Sequence, residues 1–140
     1  MTIDLLVNID VDDLARAERF YCEALGLSRG RRLGPDGLEL LGGSSPLYLL
    51  AKPAGSLAAP TTAETRRYRR HWTPVHLDFA VPDLDTALER AIAAGGVLEG
   101  SVRTHGWGRI AQLADPFGHG FCLIQFSAAG YDAIATPDAA

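Results

Sequence analysis

The stretch 115-DPFGHGFCLIQF-126 joins a turn to a strand. Asp115, Pro116 and Gly118 are residue types that close tight turns, supplying a short side-chain acceptor, a fixed φ and access to positive φ. From Phe121 to Phe126 the residues turn apolar and β-favouring. Two potential metal ligands, His119 and Cys122, stand three positions apart. On this pattern His119 belongs to the turn, near solvent, and Cys122 to the strand, so they are not expected to act as a pair.

The segments before this turn occur twice in the chain. A shift of 70 positions lays 11-VDDLARAERFYCEALGL-27 on 81-VPDLDTALERAIAAGGV-97, matching Val11 with Val81, Asp13 with Asp83, Leu14 with Leu84, Ala17 with Ala87, Ala24 with Ala94 and Gly26 with Gly96. A period of this length implies two half-domain modules rather than small solenoid units. Each copy opens on a strand of period two. Leu5, Val7, Ile9 and Val11 share one face in the first, and Val75, Leu77, Phe79 and Val81 in the second. The opposite faces carry Leu6, Asn8 and Asp10, and His76, Asp78 and Ala80.

Asp13 and Asp83 suit helix N-caps. The spacing predicts helices over 14–25 and 84–94, with stripes of Leu14, Ala17, Phe20 or Tyr21 and Ala24, and of Leu84, Ala87, Leu88, Ala91 and Ile92. Gly26 and Gly95-Gly96 are expected to end them in left-handed conformations. Short strands follow near 28–33, 38–41 and 47–51, and again near 97–103, 109–114 and 121–126. Both halves therefore read β-α-β-β-β. The chain is expected to form one α+β domain, with module one over about 3–52, a linker over about 53–71, module two over about 72–127 and a tail over 128–140.

Composition narrows the function classes. The chain of 140 residues is 47% hydrophobic and 21% charged, with a formal net charge of −4. An acidic balance argues against nucleic acid or an anionic membrane as a partner. Two cysteines do not make a disulfide framework, and the N-terminus has neither a basic leader nor a long apolar run. A cytoplasmic protein is the expectation.

Paired β-α-β-β-β modules with a D-P-x-G turn before the final strand resemble the vicinal oxygen chelate superfamily. Its members include glyoxalase I, bleomycin-resistance proteins, fosfomycin-resistance enzymes and extradiol dioxygenases. The resemblance covers roughly residues 3–127 and is strongest at 76-HLDFAVPDLDTAL-88 and 115-DPFGHGFCLIQF-126. It implies that the sheets curl into a cup-shaped cavity. In the enzymes of the superfamily a divalent metal is held there by His, Gln or Glu on the first and last strands of each module. Those four positions here hold Leu6, Tyr48, His76 and Cys122, with Tyr48 placed by matching 46-PLYLL-50 to 120-GFCLI-124. Leucine donates nothing, neutral tyrosine is a poor ligand, and one His with one Cys falls short of three ligands and an open position. A non-standard site built from His76 with Asp78 and Asp10 is the alternative.

His76, the weak catalytic candidate, and Tyr48, Cys122 and Asn8 are the expected ligand-binding residues of the cup. Trp107, in the loop 104-THGWGR-109, either lines the pocket or packs into the core. Arg109 either meets an anionic ligand group or is solvated. His105 is expected to be exposed. The basic run 66-RRYRRH-71 reads as a solvated linker, with an anion-binding flap as its alternative. These residues point to a protein that binds a small, partly aromatic or apolar ligand with no cofactor and forms a homodimer, as members of this length usually do. The alternative is a metal-dependent lyase, isomerase or dioxygenase acting on vicinal oxygens, with a divalent metal as cofactor.

Overall fold

The computed structural model describes residues 1–138. Module one runs β1 (Val7–Val11), α1 (Leu14–Leu25), β2 (Ser28–Arg32), β3 (Gly37–Leu41) and β4 (Leu47–Ala51). Module two runs β5 (Leu77–Ala80), α2 (Leu84–Ala93), β6 (Val97–His105), β7 (Gly108–Ala114) and β8 (Gly120–Phe126). Each module is a four-stranded mixed sheet, in the orders β1-β4-β3-β2 and β5-β8-β7-β6. The first strand pairs in parallel with the last, so the helix acts as the crossover that a parallel pair requires. The α+β architecture of two repeated modules is the one expected from the sequence.

The repeat is reproduced atom for atom at the helix starts. Asp13 accepts from the Arg16 amide at 3.0 Å, and Asp83 from the Thr86 amide at 3.3 Å. Each cap satisfies a backbone donor that the helix cannot, which contributes about 1 kcal/mol. Ala17, Phe20, Tyr21 and Ala24 of α1 are buried, as are Leu84 and Ala91 of α2. The two helices pack together beneath the sheets. One core thus joins both modules, including Val11, Leu38, Leu49, Leu113, Phe121 and Leu123.

Three local expectations need correction. Ile92 is 48% exposed rather than on the buried stripe, the fully buried positions of α2 being Leu84 and Ala91, seven residues apart. Gly26 ends α1 at φ 68° and Gly95 takes φ 114°, but Gly96 does not take positive φ. At Gly96 a side chain is excluded by closeness instead, since a Cβ would lie 2.9 Å from the Ala91 carbonyl oxygen. Finally, β1 and β5 begin at Val7 and Leu77, leaving residues 5–6 and 75–76 outside the ladders. The paired run of β4 starts at Leu47, directly after Pro46, so residues 5 and 6 have no strand beside them.

The segment between the modules is anchored. Leu57 and Thr65 form an antiparallel bridge, and His71 runs parallel to His119. Among the described residues, no helix is long and apolar enough to cross a membrane.

Candidate functional site

The strands β1 and β5 carry no hydrogen bonds to one another, and a cavity of about 630 Å³ opens along the seam between them. Alternation of side chains gives it two kinds of wall. Val7, Ile9, Leu77, Phe79 and Phe121 reach it from the core side, with Tyr21 of α1 below. Leu6, Asn8, Asp10 and His76, at the alternate positions of the same segments, also line it, as do His71, Thr73 and His119. A smaller cavity of about 300 Å³ adjoins it and shares Asp10, His71 and His119. The volume and mainly apolar lining suit a small organic molecule.

Of the residues expected from the sequence, His76 and Asn8 line this cavity. Cys122 lies beside it, buried, one residue past Phe121. Its sulfur, the His76 ring and the Asp78 carboxylate bring their donor atoms within 4.8 Å of one another. His76 Nε2 stands 3.3 Å from Asp78 Oδ1. Burial, and then the negative charge of Asp78, push the Cys122 thiol up to about 11. The resting side chain is therefore a protonated thiol and a poor nucleophile. The Trp72 ring lies 5.2 Å from the His76 ring and against Gly120, where any Cβ would collide with it.

Tyr48 shares a face with Asn8 but does not line the cavity. Its hydroxyl donates to Glu39 Oε2 at 3.2 Å, and the same carboxylate receives Arg31 Nε at 3.0 Å and Nη2 at 2.7 Å. Tyr48, Glu39 and Asn8 share one row across β4, β3 and β1, so this ion pair covers the concave face of module one. Gly30 makes room for it, since a Cβ there would lie 2.6 Å from Glu39 Oε1. The Arg31 guanidinium holds the Glu39 carboxyl at about 2, well below the ordinary range.

The metal that the superfamily implies can be tested against these donors. At the two expected positions module one offers none: Leu6 has no donor atom, and the Tyr48 hydroxyl is bonded to Glu39, whose carboxylate is itself held by Arg31. Asp10 does not join His76 either. It pairs with Arg66 Nε at 2.8 Å. The remaining trio of imidazole, carboxylate and protonated thiol comes from module two alone. That set does not fit a hard divalent ion shared between modules.

Trp107 and Arg109 lie away from the cavity. Trp107 stacks on the exposed His105 at 5.2 Å and meets Phe126 and Tyr131 at 6.3 and 5.5 Å, forming an aromatic cluster at the β6–β7 hairpin. Arg109 reaches Asp85 of α2 with both terminal nitrogens, at 2.9 and 3.3 Å.

The basic run is folded onto the modules rather than solvated along its length. Arg66 holds Asp10, and Arg70 holds Glu99 through two contacts at 2.5 and 2.6 Å. Tyr68 donates to the Lys52 carbonyl at 2.6 Å. Gly118 permits this closeness: it takes φ 85°, and a Cβ there would lie 2.4 Å from the Arg69 carbonyl.

His119 differs most from its expected place near solvent. It is half-buried, and its Nε2 donates to the Asp10 carbonyl at 2.7 Å, joining the second module's turn to the first module's strand. Asp115 organises that turn, accepting from the Phe117 and His119 amides at 2.8 and 2.9 Å. Its other oxygen accepts from the Tyr21 hydroxyl. His71, Trp72, Thr73 and Tyr21 were not legible as site residues. The first three sit at a linker boundary, and Tyr21 looks like any core aromatic on a helix.

Comparison with known proteins agrees with this architecture. A family model described as "Glyoxalase-like domain" matches residues 6–124. The anthracycline biosynthesis protein DnrV of Streptomyces peucetius is 32% identical over 132 residues, covering 92% of this chain and 43% of that relative. The chain thus spans about two fifths of that relative's length. A glyoxalase-related enzyme from Fulvimarina pelagi superposes with a TM-score of 0.69 at 20% identity, covering 99% of each chain. TnmS3, an antibiotic-binding protein from Streptomyces sp. CB03234, superposes with a TM-score of 0.65 at 24% identity, covering 91% of this chain and 98% of that one.

Proposed function

This chain belongs to the glyoxalase-like domain family, and from that premise we propose that it binds a small, partly aromatic or apolar ligand in the seam cavity, without a metal. The observation that carries this reading is the cavity itself: about 630 Å³, with apolar strand residues and aromatic rings on its walls and a few polar side chains among them. Two further points support it. At its two expected ligand positions module one supplies no free metal donor, Leu6 being apolar and Tyr48 bonded to the Arg31–Glu39 pair. A 32%-identical relative is named for anthracycline biosynthesis.

The test is calorimetric titration with a panel of small aromatics, comparing the native chain with His76→Ala. A bound aromatic whose affinity falls about tenfold or more in the variant supports the reading. No binder in the panel, or unchanged affinity in the variant, counts against it. The second reading, a metal-dependent lyase, isomerase or dioxygenase, rests on the approach of His76, Asp78 and Cys122. Elemental analysis of protein purified without chelator separates the two, since one tightly held metal per chain would favour the enzyme. A cytoplasmic homodimer remains part of the proposal, with sedimentation equilibrium as the check on its assembly state.

A further inference from the structure

Just before β5 the chain crosses one face of module two. Asp78, Cys122, Gln112 and Glu99 stand side by side on β5, β8, β7 and β6, in one row across the sheet. Phe121 and Leu123, which flank Cys122, belong to the core, so alternation turns this row to the opposite, concave face. Arg70 is fixed at the β6 end of the row by two contacts to Glu99, at 2.5 and 2.6 Å. Its guanidinium also lies over the Trp72 ring, 5.1 Å from the centroid. Trp72 rests on Gly120 of β8, and its ring is 5.2 Å from that of His76, which stands beside Asp78 of β5. From Arg70 to His76 the chain thus passes over the sheet from β6 to β5.

The intervening residues serve the seam. His71, Thr73 and Val75 line the seam cavity, whereas Trp72 does not. The cavity reaches Gly120 and His76, the two residues against which Trp72 lies, but not Cys122, Gln112 or Glu99. Trp72 therefore stands between the cavity and the row.

Side chains hold this crossing in place. His71 donates its amide to the Gly118 carbonyl at 3.3 Å, and ladder pairing resumes at Leu77. Between those points no backbone hydrogen bond ties Trp72, Thr73 or Val75 to another element among the described residues, and Pro74 has no amide to give. Trp72 is 48% exposed and Val75 83%. A segment with fixed ends, few backbone bonds and exposed side chains opens at a lower free energy than the whole domain.

We propose that residues 72–76 form a hinged strap, latched by the Trp72 ring on Gly120 and His76, whose lifting joins the seam cavity to the row of Asp78, Cys122, Gln112 and Glu99. The hinges are His71, held at Gly118, and Leu77, held in the ladder. The strap is a device of the chain itself and does not depend on the seam holding a ligand.

Cys122, 4% exposed within the row, reports the state of the strap. The Cys22→Ser chain leaves it as the only thiol, and its disulfide exchange is followed at pH 8 over a series of low urea concentrations. Gly120→Ala drives a Cβ into the Trp72 ring and to 2.9 Å from Arg70 Nη2, at a position that takes no positive φ. It should speed labelling of Cys122 about tenfold or more, and Trp72→Ala should do the same. The double variant should be no faster than the faster single one, since both remove one contact. In the Trp107→Phe chain Trp72 is the only tryptophan, and Gly120→Ala should shift its emission to the red. Rates that stay level in low urea support the strap, whereas rates that climb steeply from zero urea mark global unfolding and overturn it. Unchanged labelling in either single variant, or a red shift without faster labelling, overturns it as well.

Discussion

His119 donates through Nε2 to the carbonyl of Asp10 at 2.7 Å, a contact between residues 109 positions apart that fastens the turn of module two to the first strand of module one. It crosses the seam where the sheets share no backbone hydrogen bonds. His119→Ala leaves that half-buried carbonyl without its partner and is expected to destabilise the chain by about 1–2 kcal/mol in urea unfolding. The same loss with His119→Gln, which can still donate, would show that packing rather than this bond holds the modules together.

Tyr21 and Asp115 form the buried counterpart of that fastening, joining α1 to the same turn. Tyr21→Phe leaves the carboxylate oxygen buried without its donor and is expected to cost about 1–3 kcal/mol. Burial and the Asp115 charge also raise the Tyr21 phenol well above the ordinary tyrosine value. A raised folded value favours the neutral phenol in the native state. Its contribution is complete below the unfolded value of about 10 and is lost as pH rises through the higher folded one. Alkaline titration at 295 nm should therefore show one tyrosine ionising only as the chain unfolds, and none such in Tyr21→Phe.

Glu39 has the opposite sign. Its carboxyl is held at about 2 by Arg31, so its stabilisation is present above the ordinary carboxylate value and is lost as pH falls toward 2. Glu39→Gln should unfold at lower urea concentration than the native chain at pH 7. The two midpoints should converge as pH falls toward 2. A constant difference would show that shape rather than charge matters at this site.

Thiol labelling separates the two cysteines. Cys122 is 4% exposed with its thiol pushed up to about 11, whereas Cys22 is half-buried on α1 and raised less. At pH 8 a disulfide-exchange reagent should label one thiol per native chain, Cys22, and a second only on unfolding. Cys22→Ser should abolish the native-state reaction. Rapid labelling of Cys122 would restore it as a candidate nucleophile.

Trp107 and Arg109 provide the negative control for the site. Trp107→Phe and Arg109→Ala change the hairpin cluster and the contact to Asp85, both away from the cavity. Affinity for any ligand that responds to His76→Ala should change less than twofold in either variant. A tenfold loss in Trp107→Phe would place the hairpin at the ligand.

Much of this protein was determined by local pattern. Period-two strands, Asp13 and Asp83 as caps, and the D-P-F-G turn specify two equivalent modules, because strand alternation and helix capping depend on neighbours a few positions away. The same reasoning placed His76 and Asn8 on the concave face, and both line the cavity. Only the tertiary structure decided what stands opposite them. Tyr48 faces the concave side as read, but Glu39 reaches it from the adjoining strand. Arg109 finds Asp85, and His119 leaves the solvent for a carbonyl 109 positions earlier. The seam is lined from both modules and closed by a connecting segment whose sequence resembles any polar linker. Which side chains meet there depends on how the two sheets pack over their shared helices, and that packing has no period along the chain.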